Sequence, residues 1–388
     1  MADNTRKRVL LATIQSTIDV DEVPSAFTEN VITVGLQLPA FQSNTVERNV
    51  DRGVSFGNLQ QSITDVYNKL AFGVELNGSD FNHSALMRCC GLSLTTNASE
   101  LTANAVSGTS NSVTLDATAS STDDTYNFLF IEITSGAGAG QFGVINDYTG
   151  SSKNAYVNWR RSDGQGITSP NNTSVYRIPA QRSYRPISTS FEFVSLYDSL
   201  DQQKHPMINV MGTVSASLAN GQYPQFNYDL SGKYISATAE AAPTPLWGSA
   251  YKDPLLVNNS NTKLLIDNKV HNLVNANFDL NNDVKYANFS GESISIRDRK
   301  PSGSIEIESP DLSANHFYDD IISETTFEML LRHGQVDSNS VVIFSPKVQF
   351  LSPTEGEIDE ISTLKMNFSL LPYSRYFDPD ADLIYIFF

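Results

Sequence analysis

Strict alternation of apolar and polar residues recurs along this chain. Val214, Ala216 and Leu218 alternate with Thr213, Ser215 and Ser217, and Met366, Phe368 and Leu370 with Asn367 and Ser369. Ile294 and Ile296 are set against Ser293, Ser295 and Arg297, and Ile305 and Ile307 against Glu306 and Glu308. A period of two marks a strand with one buried and one wet face. The Ile294–Ile307 stretch predicts a hairpin, and Phe327–Arg332 with Val341–Pro346 predicts another around His333 to Ser340. Helical spacing is scarce. Asn82 can cap a short helix through Ala85, Leu86 and Cys89, which Gly91 stops in the left-handed conformation. After Pro310, residues 311–323 place Leu312, Phe317, Ile321 and Ile322 on one face, with Ser313 a candidate cap. Leu59, Ile63 and Val66 also fall at helical spacing over 59–70, although Thr64 and Tyr67 argue against a helix there.

Residues 106–178 have a different texture. Val113, Leu115 and Ala117 alternate, Phe128 to Ile133 follow, and Val144 and Ile145 come after a glycine-rich turn. Tyr156, Val157 and Trp159 form a further strand, and Val175, Tyr176 and Ile178 close the segment. Loop-like flanks, Gly108 to Asn111 and Ser169 to Asn172, suggest a small all-β domain inserted into a core domain made of 1–105 and 179–388. The stretch from Ala241 to Asn261, rich in Pro and Asn, reads as a long connection.

The 388 residues allow two or three domains. Charged residues make up 18% of the chain, below the usual quarter, and Ser, Thr and Asn fill the gap, as suits a turn-rich β protein. Against 43 acidic side chains stand 26 Lys and Arg, a net charge of −17. That excludes nucleic-acid binding by counterion release, which needs clustered cations. The same charge would repel DNA from a wall. Cys89 and Cys90 are adjacent, which disfavours a disulfide between them and suggests buried thiols on a short helix. The start of the chain lacks the pattern of a signal peptide, and no apolar run approaches the roughly 18 residues that span a bilayer. No membrane insertion and synthesis in a reducing cytoplasm are the expectation.

Nothing assembles into a reaction centre. Gly136-Ala137-Gly138-Ala139-Gly140-Gln141 lacks the third glycine of a dinucleotide fingerprint and is followed by strand-like Phe142 to Ile145, so a tight turn is expected. Asp378-Pro379-Asp380-Ala381-Asp382 begins like a calcium loop but has Leu383 for the glycine and no bidentate Glu, which predicts a solvated turn. His83, His205, His271, His316 and His333 share no ligand spacing and read as surface or capping residues. Glu355, Glu357, Asp359 and Glu360 read as a solvated loop or a charged channel lip. Asp319 and Asp320, on the second short helix, have no partner base, and no serine sits in Gly-x-Ser-x-Gly. Arg160, Arg161 and Arg182 are isolated basic spots. The expectation is no catalytic, cofactor-binding or metal-binding residue, no cofactor and no enzyme.

Two stretches carry a resemblance. Phe72-Gly73-Val74-Glu75-Leu76-Asn77-Gly78-Ser79 leads to Asn82 through Cys90 and Gly91, and Ile294 to Asp298 leads to Ser302 through Pro310. Between them run Phe191-Glu192-Phe193, Met211 to Ser215, Gln225 to Tyr228, Gly232-Lys233-Tyr234 and the link Ala242-Pro243-Thr244-Pro245. With the terminal Ile384 to Phe388, this order resembles the tail tube (major tail) protein of long non-contractile-tailed bacteriophages, outside the insert. The resemblance implies a mainly β fold: a tail-tube-like β-sandwich or barrel with one or two short helices, plus the inserted domain. It implies a structural virion protein, made in the host bacterial cytoplasm. Six copies would form a ring whose sheets merge, and rings would stack head to tail into the conduit for DNA ejection. A long hairpin loop, for which Gln37 to Asn58 is the candidate, would reach between rings. The insert would stand on the tube exterior. Implied partners are the chain itself and the tape measure, terminator and distal tail proteins, with double-stranded DNA passing through unbound. The alternative is a β-sandwich receptor- or carbohydrate-binding virion protein, motivated by Tyr156, Trp159 and Tyr176 as exposed aromatics in the insert.

Overall fold

The computed structural model describes residues 7–25, 29–47, 60–78, 83–245, 251–288, 291–311, 316–334, 339–374 and 380–388. In chain order, β1 (Arg8–Ile14), β2 (Asn30–Val31), β3 (Ala40–Glu47) and β4 (Gln61–Glu75) lead to α1 (His83–Cys89) and β5 (Leu92–Asn97). Next come β6 (Leu101–Asn104), β7 (Ser107–Thr109), β8 (Ser112–Thr114), β9 (Phe130–Ser135), β10 (Phe142–Thr149), β11 (Asn154–Val157) and β12 (Val175–Ile178). β13 (Gln181–Pro186), β14 (Val194–Leu200), β15 (Gln203–Ala219), β16 (Gln225–Tyr234), β17 (Thr238–Ala239), β18 (Thr262–Ile266) and β19 (Lys269–His271) follow. The chain continues through β20 (Leu273–Asp279), β21 (Asn282–Asn288), β22 (Glu292–Arg299) and β23 (Ser302–Glu308). It ends with α2 (Phe317–Ile322), β24 (Thr326–His333), β25 (Val341–Ile358), β26 (Ile361–Leu371) and β27 (Ile384–Phe387). The fold is mainly β, as the alternation predicts.

β4, β16, β15, β20, β23, β26 and β25 pair in that order, all antiparallel. Every second residue points to one shared core: Phe72, Phe226, Val214, Phe278, Ile305, Phe368 and Phe350 all belong to it. Leu86 and Met87 of α1 are fully buried in the same core, and Gly91 (φ +75°) ends that turn as expected. Each such side chain contributes roughly 1.5–3 kcal/mol relative to an exposed one. Asn82 lies outside the described residues.

A second section reads differently in sequence because it is buried on both faces. β18, β24, the first half of β25 and β27 pair in that order. Their runs, Leu264–Ile266, Met329–Leu331, Val341–Phe344 and Ile384–Phe387, are apolar without interruption, the pattern of a strand covered twice. One face, with Leu264, Leu331, Ile343 and Tyr385, meets the main core. The other, with Leu265, Leu330, Phe344 and Ile386, is covered by Phe128, Phe130, Phe142 and Val144. Phe130, Phe142 and Val144 come from a separate seven-stranded sheet ordered β6-β12-β9-β10-β11-β8-β7, and Phe128 from the turn that precedes β9. That sheet has a core of its own around Val113, Ile131, Ile145, Tyr148, Trp159 and Tyr176.

Three expectations need correction. Residues 61–70 are strand, not helix: Thr64 and Tyr67 favour extended backbone, and β4 pairs β3 on one side and β16 on the other. Leu59 lies outside the described residues. The strands of the Ile294–Ile307 stretch do not pair with each other. β22 pairs β21, while β23 lies between β20 and β26, so the four strands form one long ribbon interrupted between Leu280 and Pro301. Pro301 cannot donate to a ladder, and Asn281 (φ +48°) spans the break with its amide on Lys300 O and Ser302 Oγ. α2 begins only at Phe317, with His316 at the cap position making no side-chain cap bond. Phe317 is buried and Ile322 is 81% exposed, because five residues turn a helix by about 140° away from the starting face. Leu312 and Ser313 lie outside the described residues. The hairpin of β24 with β25 forms as expected, and Pro346 falls at its bulge, where the ladder needs no donor.

Candidate assembly surface

Two hairpins project from the main sheet with apolar side chains on show. The first is β3–β4. β16 follows β4 only as far as Tyr67, so Gln61 to Val66 are paired by β3 alone. Among the described residues β3 pairs β4 and no other strand. Phe41, Val46 and Ile63 on this arm are 51%, 55% and 61% exposed. At its base Tyr67 stacks on Tyr286 of β21 with ring centroids 5.0 Å apart, and Phe41 meets Tyr234 edge-on at 5.3 Å. The approach to β3 is fixed by a buried charge. Arg8 donates through Nε to Asp198 Oδ1 at 2.8 Å and through Nη1 to Leu36 O at 2.6 Å, and Asp198 has no exposed surface.

The second arm is β25–β26. From Leu351 to Ile358, β25 has β26 as its one strand partner among the described residues, and the pair closes at Ile358 opposite Ile361. Asp359 (φ +50°) and Glu360 (φ +65°) make the two-residue turn that matches strand twist. Ile358 and Ile361 remain half-exposed. Tyr318 of α2 donates to Glu355 Oε1 at 2.9 Å across the base of the arm.

An unpaired strand edge is a template for another chain, and exposed apolar side chains beside it give that pairing a driving force. The chain matches the phage tail tube protein family over residues 5–370. It belongs to that family. No curated protein matches it. As a tail tube protein it is a structural component of the virion, and the family implies self-assembly and association with other tail proteins.

The residues that sequence reading weighed for chemistry have structural places in this tail tube protein. Gly136, Gly138 and Gly140 all have positive φ, near +80°, in the turn from β9 to β10, and no helix follows. His83, His271 and His333 are buried, contrary to expectation, because aromatic and apolar neighbours enclose them: His83 lies between Phe226 and Phe387, and His271 beside Phe317. Burial pulls all three down to about 4. Asp382 is also buried rather than solvated. Burial pushes its carboxyl up to about 6 against the pull of Arg299, whose guanidinium lies 3.6 Å from Asp382 and 3.0 Å from Asp380. Asp378 and Pro379 lie outside the described residues. Glu355 and Glu357 stand on β25 and Asp359 and Glu360 in its turn, so the acidic run is a hairpin tip rather than a loop.

Arg160 is no surface spot: it is 1% exposed, ion-paired to Glu328, and donates to Asp267 O at 3.1 Å. Arg161 pairs with Asp163 and Arg182 is exposed on β13. Cys89 and Cys90 are buried free thiols, and burial raises Cys90 well above the ordinary range. Trp159 and Tyr176 are core residues, and of the three aromatics that motivated a receptor-binding surface Tyr156 alone is exposed. Among the described residues no three His, Cys, Asp or Glu side chains gather as metal ligands. Sequence reading missed the exposed arm residues. Ile358-Asp359-Glu360-Ile361, two apolar residues about a two-residue turn, was the available signal for the second tip.

Proposed function

We propose that this chain polymerises into stacked six-membered rings that form the tail tube and the conduit for DNA ejection. The observation that carries the reading is the β3–β4 arm: a strand with one partner, beside exposed Phe41, Val46 and Ile63. In a ring, the β3 edge pairs with a neighbour's sheet, and closure removes the edge. Of the inter-ring loop candidate Gln37 to Asn58, residues 48–58 lie outside the described residues. Head-to-tail stacking is a heterologous contact that grows until a terminator protein stops it, with a tape measure protein inside and distal tail proteins at the far end. Six copies carry about −100 formal charges, so DNA passes through the bore without adhering. The core is 1–105 with 179–388, and the module 106–178, whose sheet is completed by β6 of the core segment, stands on the tube exterior. Synthesis takes place in the host bacterial cytoplasm.

Negative-stain electron microscopy of the purified chain tests this. Rings or tubes are expected at high protein concentration. A monomer at every concentration and salt tried would refute it.

A further inference from the structure

The seven-stranded sheet meets the segment after β26 around a cavity of about 610 Å³. Asp124, Asn127, Asn146, Asp147, Tyr156 and Tyr373 line it. β10 is bulged at this point: Ile145 lies opposite Val157 and Asp147 opposite Tyr156, so Asn146 has no residue across from it. A bulge re-aims a side chain. Asn146 is 5% exposed, and its amide oxygen has no hydrogen-bond partner. The amide oxygen of Asn127 has none either, while its nitrogen donates to Asp124 Oδ1 at 2.9 Å. Leaving a buried polar group unpaired costs about 1–3 kcal/mol, a cost that a ligand supplying the partner removes. Tyr156 and Tyr373, 44% and 40% exposed, complete the wall. Lys347 lies against the Tyr373 ring at 5.9 Å, which leaves Tyr156 as the open aromatic platform.

We propose that this cavity binds a neutral saccharide. Its chemistry narrows the ligand by elimination. Among the described residues two carboxylates and no Lys or Arg line it, a lining that disfavours phosphates, sulfates and acidic sugars. An apolar ligand would leave the amide oxygens of Asn127 and Asn146 unpartnered. A sugar hydroxyl both donates and accepts, so neighbouring hydroxyls can bridge the amides and the Asp124 and Asp147 carboxylates. The C–H face of the ring then lies on Tyr156, whose flat surface is otherwise wet. The inference is independent of ring formation.

Isothermal titration of the full chain with maltotriose, cellotriose and triacetylchitotriose tests it, with sialyllactose and calcium chloride as counter-probes. At least one neutral trisaccharide is expected to bind with a Kd on the order of 1 mM or tighter. Tyr156→Ala and Asp147→Asn, both at exposed positions, should each weaken that binding by roughly tenfold, the effect of one lost hydrogen bond to a charged group or one stacking face. Both variants should keep the parent's melting temperature and its tubes in the microscope. Silence from all three neutral sugars overturns the proposal. So does binding of sialyllactose or calcium alone, or sugar binding that survives both substitutions.

Discussion

Phe388 stacks on Phe130, ring centroids 4.6 Å apart and planes 20° from parallel. The contact ties β9 of the seven-stranded sheet to the end of β27, and Arg332 lies over the same two rings at 5.2 and 5.5 Å. Two further bonds cross the same seam: Gln181 donates to Phe130 O at 2.9 Å and Ser183 to Phe128 O at 2.9 Å. The smaller sheet is therefore not hung on a tether. It is the lid on an apolar face of the main sheet.

That seam predicts an outcome for Phe130→Ala. Phe130 is fully buried, so truncation leaves a cavity and costs about 3–5 kcal/mol. Urea unfolding should show the loss in midpoint, and a dye that binds apolar surface should report exposure of Leu330 and Phe344 before the main transition. A midpoint within error of the parent would mean the two sheets do not share this core.

Arg8→Ala tests how the first arm is held. Removing the guanidinium strands the Asp198 carboxylate, which has no exposed surface, and breaking a buried pair from one side costs about 3–5 kcal/mol. It also frees Leu36 O, so the segment leading into β3 loses an anchor. Hydrogen exchange should accelerate in β3 and β1 more than in β20 or β26. Uniform exchange across all four strands would show that Arg8 stabilises the fold without positioning the arm.

Strand existence was legible in the sequence, and strand partnership was not. Val214, Ala216 and Leu218 alternate and all three are core residues, as the period requires. Alternation says nothing about neighbours, so β22 and β23 were joined as a hairpin although each pairs elsewhere. The two-sided burial of Ile384 to Phe387 depends on Phe130 and Phe142, some 250 residues away in sequence, which no local pattern encodes. Trp159 and Tyr176 were read as exposed for the same reason: an aromatic on a strand faces core or water according to what covers it. The arm residues were invisible because an exposed Ile63 and a buried Val214 look alike in sequence.

Stability should fall on acidification. His83, His271 and His333 are held near 4 by burial, against about 6.5 in an unfolded chain. Between those values the unfolded chain takes up protons that the folded chain refuses, so their contribution is whole above about 6.5 and is lost as pH falls toward 4. Asp382 acts in reverse. With its carboxyl raised to about 6, the folded chain binds that proton first, and its contribution grows as pH falls from 6 toward 3.9. Each buried group carries on the order of 3 kcal/mol, and three histidines outweigh one aspartate. The urea midpoint should drop between pH 7 and pH 5. His333 donates through Nε2 to Leu255 O (3.1 Å) and accepts at Nδ1 from Thr262 Oγ1 (2.8 Å), so His333→Asn should flatten the drop while lowering the midpoint at pH 7. A midpoint that rises on acidification would contradict this balance.

The arms give the most direct separation of folding from assembly. Phe41, Ile63 and Ile361 are all more than half exposed in the subunit, so a polar substitution there changes its stability by no more than about 0.5 kcal/mol. In the proposed tube those side chains would be enclosed by a neighbour, and a carboxylate in their place would have to be buried without a partner. Ile63→Asp and Ile361→Asp should therefore keep the parent melting curve yet give no tubes in negative stain. Val106→Asp supplies the contrast: Val106 is 58% exposed beside the seven-stranded sheet, on the face assigned to the tube exterior, and its tubes should be normal. Tubes from both arm variants would remove the arms from the assembly contact. Failure of Val106→Asp alone would instead bring the smaller sheet into it.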